Sequence, residues 1–160
     1  MRSRFWAGTL LAGGLAAAGI SCAGRSTTGD AAPVTYESHI RALVEKRCAE
    51  CHGPKSPSMA EFDKDKARYK ELSLGPRYDT YENLMVVVNG SDIGALMRRL
   101  DDGTNTKDGK PGNMHENLGE DSAELAANLA LFRQWVGGWT LKRGAEITDA
   151  ERNAILAPER

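Results

Sequence analysis

Cysteine and histidine are scarce in this 160-residue chain, which holds three of each. Aromatic residues are also few, with three Trp, four Tyr and three Phe, so large apolar side chains for a core are in short supply. Basic residues are not in excess, because 21 of them face 22 acidic residues and the net charge is −1. This balance argues against a nucleic-acid partner. A buried cofactor would add apolar surface to a core that has few large side chains.

A long apolar run occurs only near the start of the chain, over residues 5–20, directly after the basic residues Arg2 and Arg4. Sixteen residues are too few for a typical transmembrane helix. The small residues "SCAG" follow this run. This layout predicts a signal peptide over residues 1–21 and an exported protein. Removing those residues leaves 19 basic against 22 acidic residues, a net charge of −3.

The end of this run resembles a bacterial lipoprotein box, with Ser21 before Cys22 and Gly19 in place of the usual Leu. The resemblance implies that Cys22 is the first mature residue and carries a lipid anchor. Cleavage after "SCA" is the alternative, and it would discard Cys22 and leave a soluble periplasmic protein. Residues 22–33 are small and polar, which indicates a flexible tether.

Helical periodicity dominates the rest of the chain, and no stretch is convincing as a strand, so the predicted fold class is all-α. Thr35, Thr80 and Ser91 are predicted helix caps. The predicted helical stretches are 36–44, 60–72, 80–88, 91–100, 122–136 and 148–156. The composition of residues 101–113 predicts a loop. We assign 34–143 to one domain and 144–160 to a short helix and tail.

Cys48, Cys51 and His52 form a C-x-x-C-H motif at the end of the first predicted helix. Cysteines three apart on a helical turn share a face, so both thiols can reach the two vinyl groups along one edge of a porphyrin. His52 directly follows Cys51 in the sequence, so its imidazole would lie beneath the iron of the attached porphyrin. C-x-x-C-H is the attachment motif of a c-type haem. We therefore predict one haem c, bound covalently through Cys48 and Cys51, with His52 as the proximal iron ligand.

Other uses of the motif fit less well. A structural zinc site needs four ligands, whereas His39, His115 and Cys22 are scattered in the sequence. A thioredoxin-like redox pair expects a βαβ context, which this chain lacks. A disulfide between Cys48 and Cys51 would close a very short loop and leave the adjacent histidine without a role.

The stretch "YESHIRALVEKRCAECHG" resembles the opening of the class I cytochrome c fold, and more narrowly that of planctomycete-type cytochrome c domains. In that family a helix with the pattern I-x-x-(I/L)-(L/V) leads into C-x-x-C-H-G. "SDIGALMRRL" and "FRQWVGGW" are also similar to that family, and the resemblance covers residues 34–143. It implies a small cytochrome c fold of four to six helices wrapped around one haem, with the first and last helices packed together.

Iron in an electron carrier normally has a sixth ligand, and several residues are candidates for it. Met85 and Met97 lie on apolar helix faces, where a methionine usually belongs to the core. Met59 lies only seven residues past His52 and would have to loop round the haem edge. His39 lies on the first predicted helix.

Met114 differs from these because it lies in the loop "DGKPGNMHENLG", which has no periodicity and little else that is apolar. The resembled family takes its distal Met from a loop just before the last helix, usually as Met-Pro. This chain has His115 where the Pro would be, and imidazole is also a good iron ligand. We predict Met114 as the distal ligand, with His115 as the alternative.

These features together predict a monohaem c-type cytochrome that carries single electrons in the bacterial cell envelope and is not an enzyme. Its expected partners are other redox proteins, by transient docking, and a membrane, through the lipid on Cys22. Ala23 is not the acidic residue associated with inner-membrane retention, which favours the outer membrane. The alternative is a peroxidase-like haem enzyme, or a gas or redox sensor, with a labile or missing sixth ligand. A fixed subunit of a larger complex is a further possibility.

Overall fold

The computed structural model describes residues 32–160. The predicted signal peptide 1–21, Cys22 and the tether up to residue 31 lie outside the described residues. Within 32–160 the chain is helical, and its β-structure is limited to one isolated bridge between Gly137 and Ile155. The predicted all-α class is confirmed.

The helices are short and follow one another closely. The first begins as a π-helical turn, Tyr36–Ile40, and continues directly into α1. The α-helices of the described chain are α1 (Arg41–Arg47), α2 (Ala49–His52), α3 (Met59–Lys64), α4 (Lys66–Glu71), α5 (Tyr81–Val88), α6 (Ala95–Leu100), α7 (Ser122–Val136) and α8 (Asp149–Asn153). Two 3-10 turns cover His115–Leu118 and Gly144–Glu146.

These helices are more numerous than the expected four to six, because the predicted stretch 60–72 is divided into two and the turn after Cys48 forms the separate helix α2. The stretch 60–72 is split at Asp65, whose backbone leaves the helical region and whose carboxylate accepts a bond from the Arg68 amide at 3.2 Å. Neither α3 nor α4 buries a residue, so no packed face keeps them continuous. The predicted cap Ser91 is also wrong, since α6 begins only after Gly94.

The first helix and α7 pack against each other, as predicted. The rings of Tyr36 and Trp135 lie 6.2 Å apart between centroids, and both side chains are buried. Ile40 on the first helix and Phe132 on α7 are buried in the same core. At the far end of this contact, Arg47 forms an ion pair with Glu124 at the start of α7. Apolar packing and ion pairing therefore join the two helices along their length.

The C-terminal residues run back over this helix pair. The amides of Leu156 and Ala157 donate to the carbonyls of Val136 and Trp135 at 2.9 and 3.0 Å. The Pro158 carbonyl accepts from the Tyr36 amide and from Trp135 Nε1, both at 2.9 Å. Residues 144–160 thus belong to the same compact unit as the rest, Ala32–Arg160. None of the helices within 32–160 has the length and apolar character needed to cross a membrane.

Candidate haem site

The C-x-x-C-H motif lies at the junction of α1 and α2. Cys48 ends α1, with its amide donating to the Val44 carbonyl at 2.9 Å, and the Cys48 carbonyl accepts from the His52 amide at 2.8 Å. The motif therefore forms one helical turn, which brings Cys48 and Cys51 to the same part of the structure. Both are partly buried free thiols, so the disulfide interpretation is not supported. Burial raises the pKa of Cys48 to about 11, which keeps this thiol protonated at neutral pH.

The His52 ring is held from two sides. Its Nδ1 lies 2.6 Å from the Pro76 carbonyl oxygen, and the Tyr78 ring stacks on it with centroids 4.7 Å apart and planes inclined by 16°. A carbonyl only accepts hydrogen bonds, so Nδ1 carries the proton and Nε2 keeps a free lone pair. Burial, and to a lesser degree the charge of Arg99, lowers the pKa of His52, which favours the neutral imidazole. The ring is thus in the state that a metal ligand requires.

The segment that follows α4 returns to the motif and builds this support. The Gly75 amide donates to the Cys51 carbonyl, and the Tyr78 amide donates to the His52 carbonyl, both at 2.8 Å. Position 75 has no room for a side chain, because a Cβ there would lie less than 3.0 Å from Cε1, Nδ1 and Nε2 of His52. Nothing in the sequence pattern linked residues 75–78 to His52.

The two candidate distal ligands lie side by side before α7. Met114 is partly buried against the apolar core, and its amide donates to the Arg99 carbonyl at 2.9 Å. Asn117 Nδ2 lies 3.7 Å from the Met114 sulfur, as a donor to it. His115 Nδ1 lies 3.0 Å from the Leu100 carbonyl oxygen, which leaves its Nε2 as the nitrogen with a lone pair.

The remaining candidates have clearer structural roles. Met97 is 1% exposed and belongs to the core, while Met59 and Met85 are partly buried against that core. His39 Nδ1 accepts the Thr35 amide at 3.3 Å, at the start of the first helix. Among residues 32–160 no group of three or more His, Cys, Asp or Glu side chains could hold a metal ion, so a zinc site is not supported there.

The residues around the motif suit a c-type haem. Two unpaired thiols lie one turn apart, and a neutral imidazole next to them has one nitrogen occupied by a carbonyl and the other available. The bare backbone at position 75 leaves the ring free of steric pressure from that side. This donor set matches two thioether bonds and one axial ligand.

Comparison with known proteins agrees with this geometry. The sequence profile of the PccH cytochrome c family matches residues 35–155. The structure is similar to that of the monohaem cytochrome PccH from Geobacter sulfurreducens, with a TM-score of 0.74 and 44% sequence identity. That match covers 79% of this chain and 98% of the other chain. No curated protein sequence matches this one.

These similarities confirm the monohaem c-type cytochrome predicted from the sequence, and its cofactor is one covalently bound haem c. Electron transfer is the general role of such a cytochrome. The helical fold, the motif on α2 and the match over residues 35–155 lead to the same assignment, and the chain belongs to the PccH cytochrome c family.

Proposed function

We propose that this protein is a single-electron carrier of the bacterial cell envelope and not an enzyme. Cys48 and Cys51 form the thioether bonds, His52 Nε2 is the proximal ligand, and Met114 is the distal ligand. The observation that carries the proposal is the 2.6 Å contact between His52 Nδ1 and the Pro76 carbonyl, next to two free thiols. When bound, the haem supplies a one-electron iron couple.

The chain keeps the His52 ring in one orientation during electron transfer. The Pro76 carbonyl accepts a hydrogen bond from Nδ1–H of His52, and the stacked Tyr78 ring limits tilting of the imidazole. A hydrogen bond to the far nitrogen also increases the basicity of the ligating nitrogen. Since the ring does not need to turn when the charge on the iron changes, little rearrangement accompanies each electron. This suits a carrier that must both accept and release electrons readily.

Two contacts support Met114 as the distal ligand. Its side chain is partly buried against the core, and Asn117 Nδ2 is a donor to its sulfur. A thioether ligand favours ferrous iron and raises the reduction potential, whereas a second imidazole lowers it. The Leu100 contact leaves Nε2 of His115 free, just as the Pro76 contact leaves Nε2 of His52 free, so His115 stays the alternative distal ligand.

An absorption spectrum with and without carbon monoxide tests the proposal, on wild type and on Met114→Ala and His115→Ala. Wild type should be low-spin, show the weak red-end thioether-to-ferric-iron band, and resist carbon monoxide. Met114→Ala should lose the band, bind carbon monoxide and have a lower potential, while His115→Ala should keep all three properties. The reverse result would make His115 the ligand. Carbon monoxide binding by wild type would favour the enzyme or sensor.

The proposed location depends on Cys22, as the first mature residue with a lipid anchor in the outer membrane. Soluble redox proteins would dock transiently near the haem edge, through the small contact areas typical of such complexes. The small, polar composition of residues 22–33 predicts a tether, which would let the haem domain move between the membrane surface and these partners.

A further inference from the structure

Three consecutive carbonyl groups at the end of α6 bind the loop that carries Met114. The Arg99 carbonyl accepts from the Met114 amide at 2.9 Å, and the Asp101 carbonyl accepts from the Gly112 amide at 2.7 Å. Between them, the Leu100 carbonyl contacts His115 Nδ1 at 3.0 Å. The last carbonyls of a helix have no partner within it, so the loop satisfies them. We call the carbonyls of residues 99–101 the carbonyl clamp.

The loop reaches this clamp only because residue 112 is a glycine. A Cβ at this position would lie less than 3.0 Å from the carbonyl oxygens of Arg98 and Arg99. These are backbone atoms of α6, which cannot rotate away as a flexible side chain would. Any larger residue at 112 would therefore push the loop off the end of the helix, two residues before Met114.

An ion pair with a fully buried carboxylate holds the clamp itself in place. The Asp101 side chain is 0% exposed and accepts from Arg133 Nη2 of α7 at 3.1 Å. It also accepts from Asn105 Nδ2 and from the Gly103 amide, both at 2.9 Å. Loss of Arg133 would leave the buried Asp101 carboxylate without its charge partner. The pair therefore ties the end of α6 to the long helix α7.

We infer that the carbonyl clamp, braced by Asp101 and Arg133, is the device that keeps the distal ligand on the iron. This inference rests on the proposed function, in which Met114 is that ligand. The bonds to Arg99, Leu100 and Asp101 hold the backbone that presents Met114, so they oppose any release of the ligand that moves this backbone. Asp101 and Arg133 are positioning residues, since they act on Met114 only through the backbone. The clamp sets how often the sixth coordination position opens.

Cyanide is a suitable probe, because it binds ferric haem only when the sixth position is open. The rate of cyanide binding would be measured on the haem-loaded wild type and on Gly112→Ala and Asp101→Asn. Both variants should bind cyanide at least about tenfold faster, which corresponds to about 1.4 kcal/mol in the opening equilibrium. Amide hydrogen exchange at positions 112 and 114 should accelerate as well, because the N–H groups of these two residues donate to the clamp.

Each variant has a matched control. Gly144→Ala introduces the same methyl group where its nearest neighbour is Ile93 Cγ2 at 3.4 Å, an ordinary contact. Asp102→Asn removes the same charge from the next residue, a partly exposed carboxylate that also contacts Arg133, while leaving the buried one. Both controls should stay within about twofold of wild type, well below the tenfold effect expected from the loss of a clamp contact.

The outcomes separate this inference from the proposed function. If Met114→Ala changes neither the thioether band nor cyanide binding, the ligand assignment fails. If Met114→Ala behaves as proposed but Gly112→Ala and Asp101→Asn match wild type in cyanide binding and amide exchange, the clamp is overturned. If Asp102→Asn and Asp101→Asn accelerate cyanide binding equally, the effect comes from the lost negative charge. The bracing role of Asp101 is then overturned. Should Gly112→Ala fail to fold, Asp101→Asn alone decides between these results.

Discussion

His52 depends on a residue that has no side chain. Gly75→Ala would place a methyl group inside the space of the imidazole ring, so either the ring or the 75–78 segment must shift. We expect the Pro76 contact to lengthen and the holoprotein to lose about 1–3 kcal/mol of stability, as is usual for overpacking. Denaturant unfolding would measure the loss, and NMR of the ferric protein would report the His52 ring orientation.

A control separates crowding at His52 from a general effect of adding a methyl group. Gly144→Ala should leave both stability and the His52 resonances close to wild type, because its new methyl has space. If Gly75→Ala also leaves the His52 resonances unchanged, position 75 does not control the ring and the support must come from Pro76 and Tyr78 alone.

The motif residues could be predicted from the sequence, whereas their supports could not. Cys48, Cys51 and His52 occur in a local pattern that carries its own chemistry. Pro76 lies 24 residues from His52, and their contact depends on how the intervening chain folds back. No spacing rule in a single sequence encodes that return. The same limit applies to Asp101, whose neighbours in the sequence suggested only a polar loop, although its side chain is fully buried.

At the scale of elements, the ion pairs between α1 and α7 give the protein a predictable response to acid. Hydrogen bonds from Arg47, from the Glu120 amide and from Lys46 lower the pKa of Glu124 from 4.5 to about 2. A carboxyl whose pKa is lowered by folding stabilises the fold above its ordinary value, and that contribution is lost as the pH falls toward 2. Stability should therefore decline between pH 4.5 and 2.

Glu124→Gln tests this response. The variant should be less stable than wild type at pH 7 and should lose less stability between pH 4.5 and 2, as measured by denaturant unfolding at each pH. Glu116→Gln is the control, because Glu116 forms no ion pair within the described residues and its replacement should leave the pH profile unchanged. Parallel profiles for wild type and Glu124→Gln would show that the α1–α7 ion pairs do not contribute.

Helices could be predicted from the sequence where their apolar residues recur at regular helical spacing. The apolar stripe of Leu125, Leu129, Phe132 and Val136 predicted α7; the last three are buried in the structure, and Leu125 is partly buried against the core. Helices without such a face were harder, because α3 and α4 bury nothing and their break at Asp65 follows from local capping. Propensity alone predicted one helix there, and a single short polar side chain was enough to divide it.

On the scale of the whole molecule, the C-terminal residues complete the core. Ile155 and Ala157 are buried, and the carbonyls of Pro158 and Glu159 accept the first amides of the opening helix. Deleting residues 155–160 removes all of these contacts at once. Loss of the buried Ile155 alone costs about 1.5–3 kcal/mol, and the lost hydrogen bonds add about 1 kcal/mol each. Thermal unfolding of the holoprotein should show a large decrease in Tm.

Deletion of Arg160 alone is the control, since this exposed residue makes no hydrogen bond to the rest of the described chain. That variant should unfold like wild type. A six-residue deletion that also unfolds like wild type would mean that the tail lies on the core without stabilising it. The predicted domain ended at residue 143, where the family resemblance ended, and no spacing in the sequence indicates that carbonyls of the tail accept amides of a helix 122 residues earlier.

Attachment of the whole molecule to a membrane would depend on a lipid bound to the Cys22 sulfur. The apolar run stops at this cysteine and small, polar residues follow, so a lipid there would hold the haem domain near a membrane. Expressed in a bacterium that attaches haem c, wild type should fractionate with membranes, and Cys22→Ser should release haem-loaded protein into the soluble fraction. The Ser21→Ala variant, which keeps the cysteine and a small residue before it, should remain bound. Soluble wild-type protein after export would refute the anchor and leave a freely diffusing carrier.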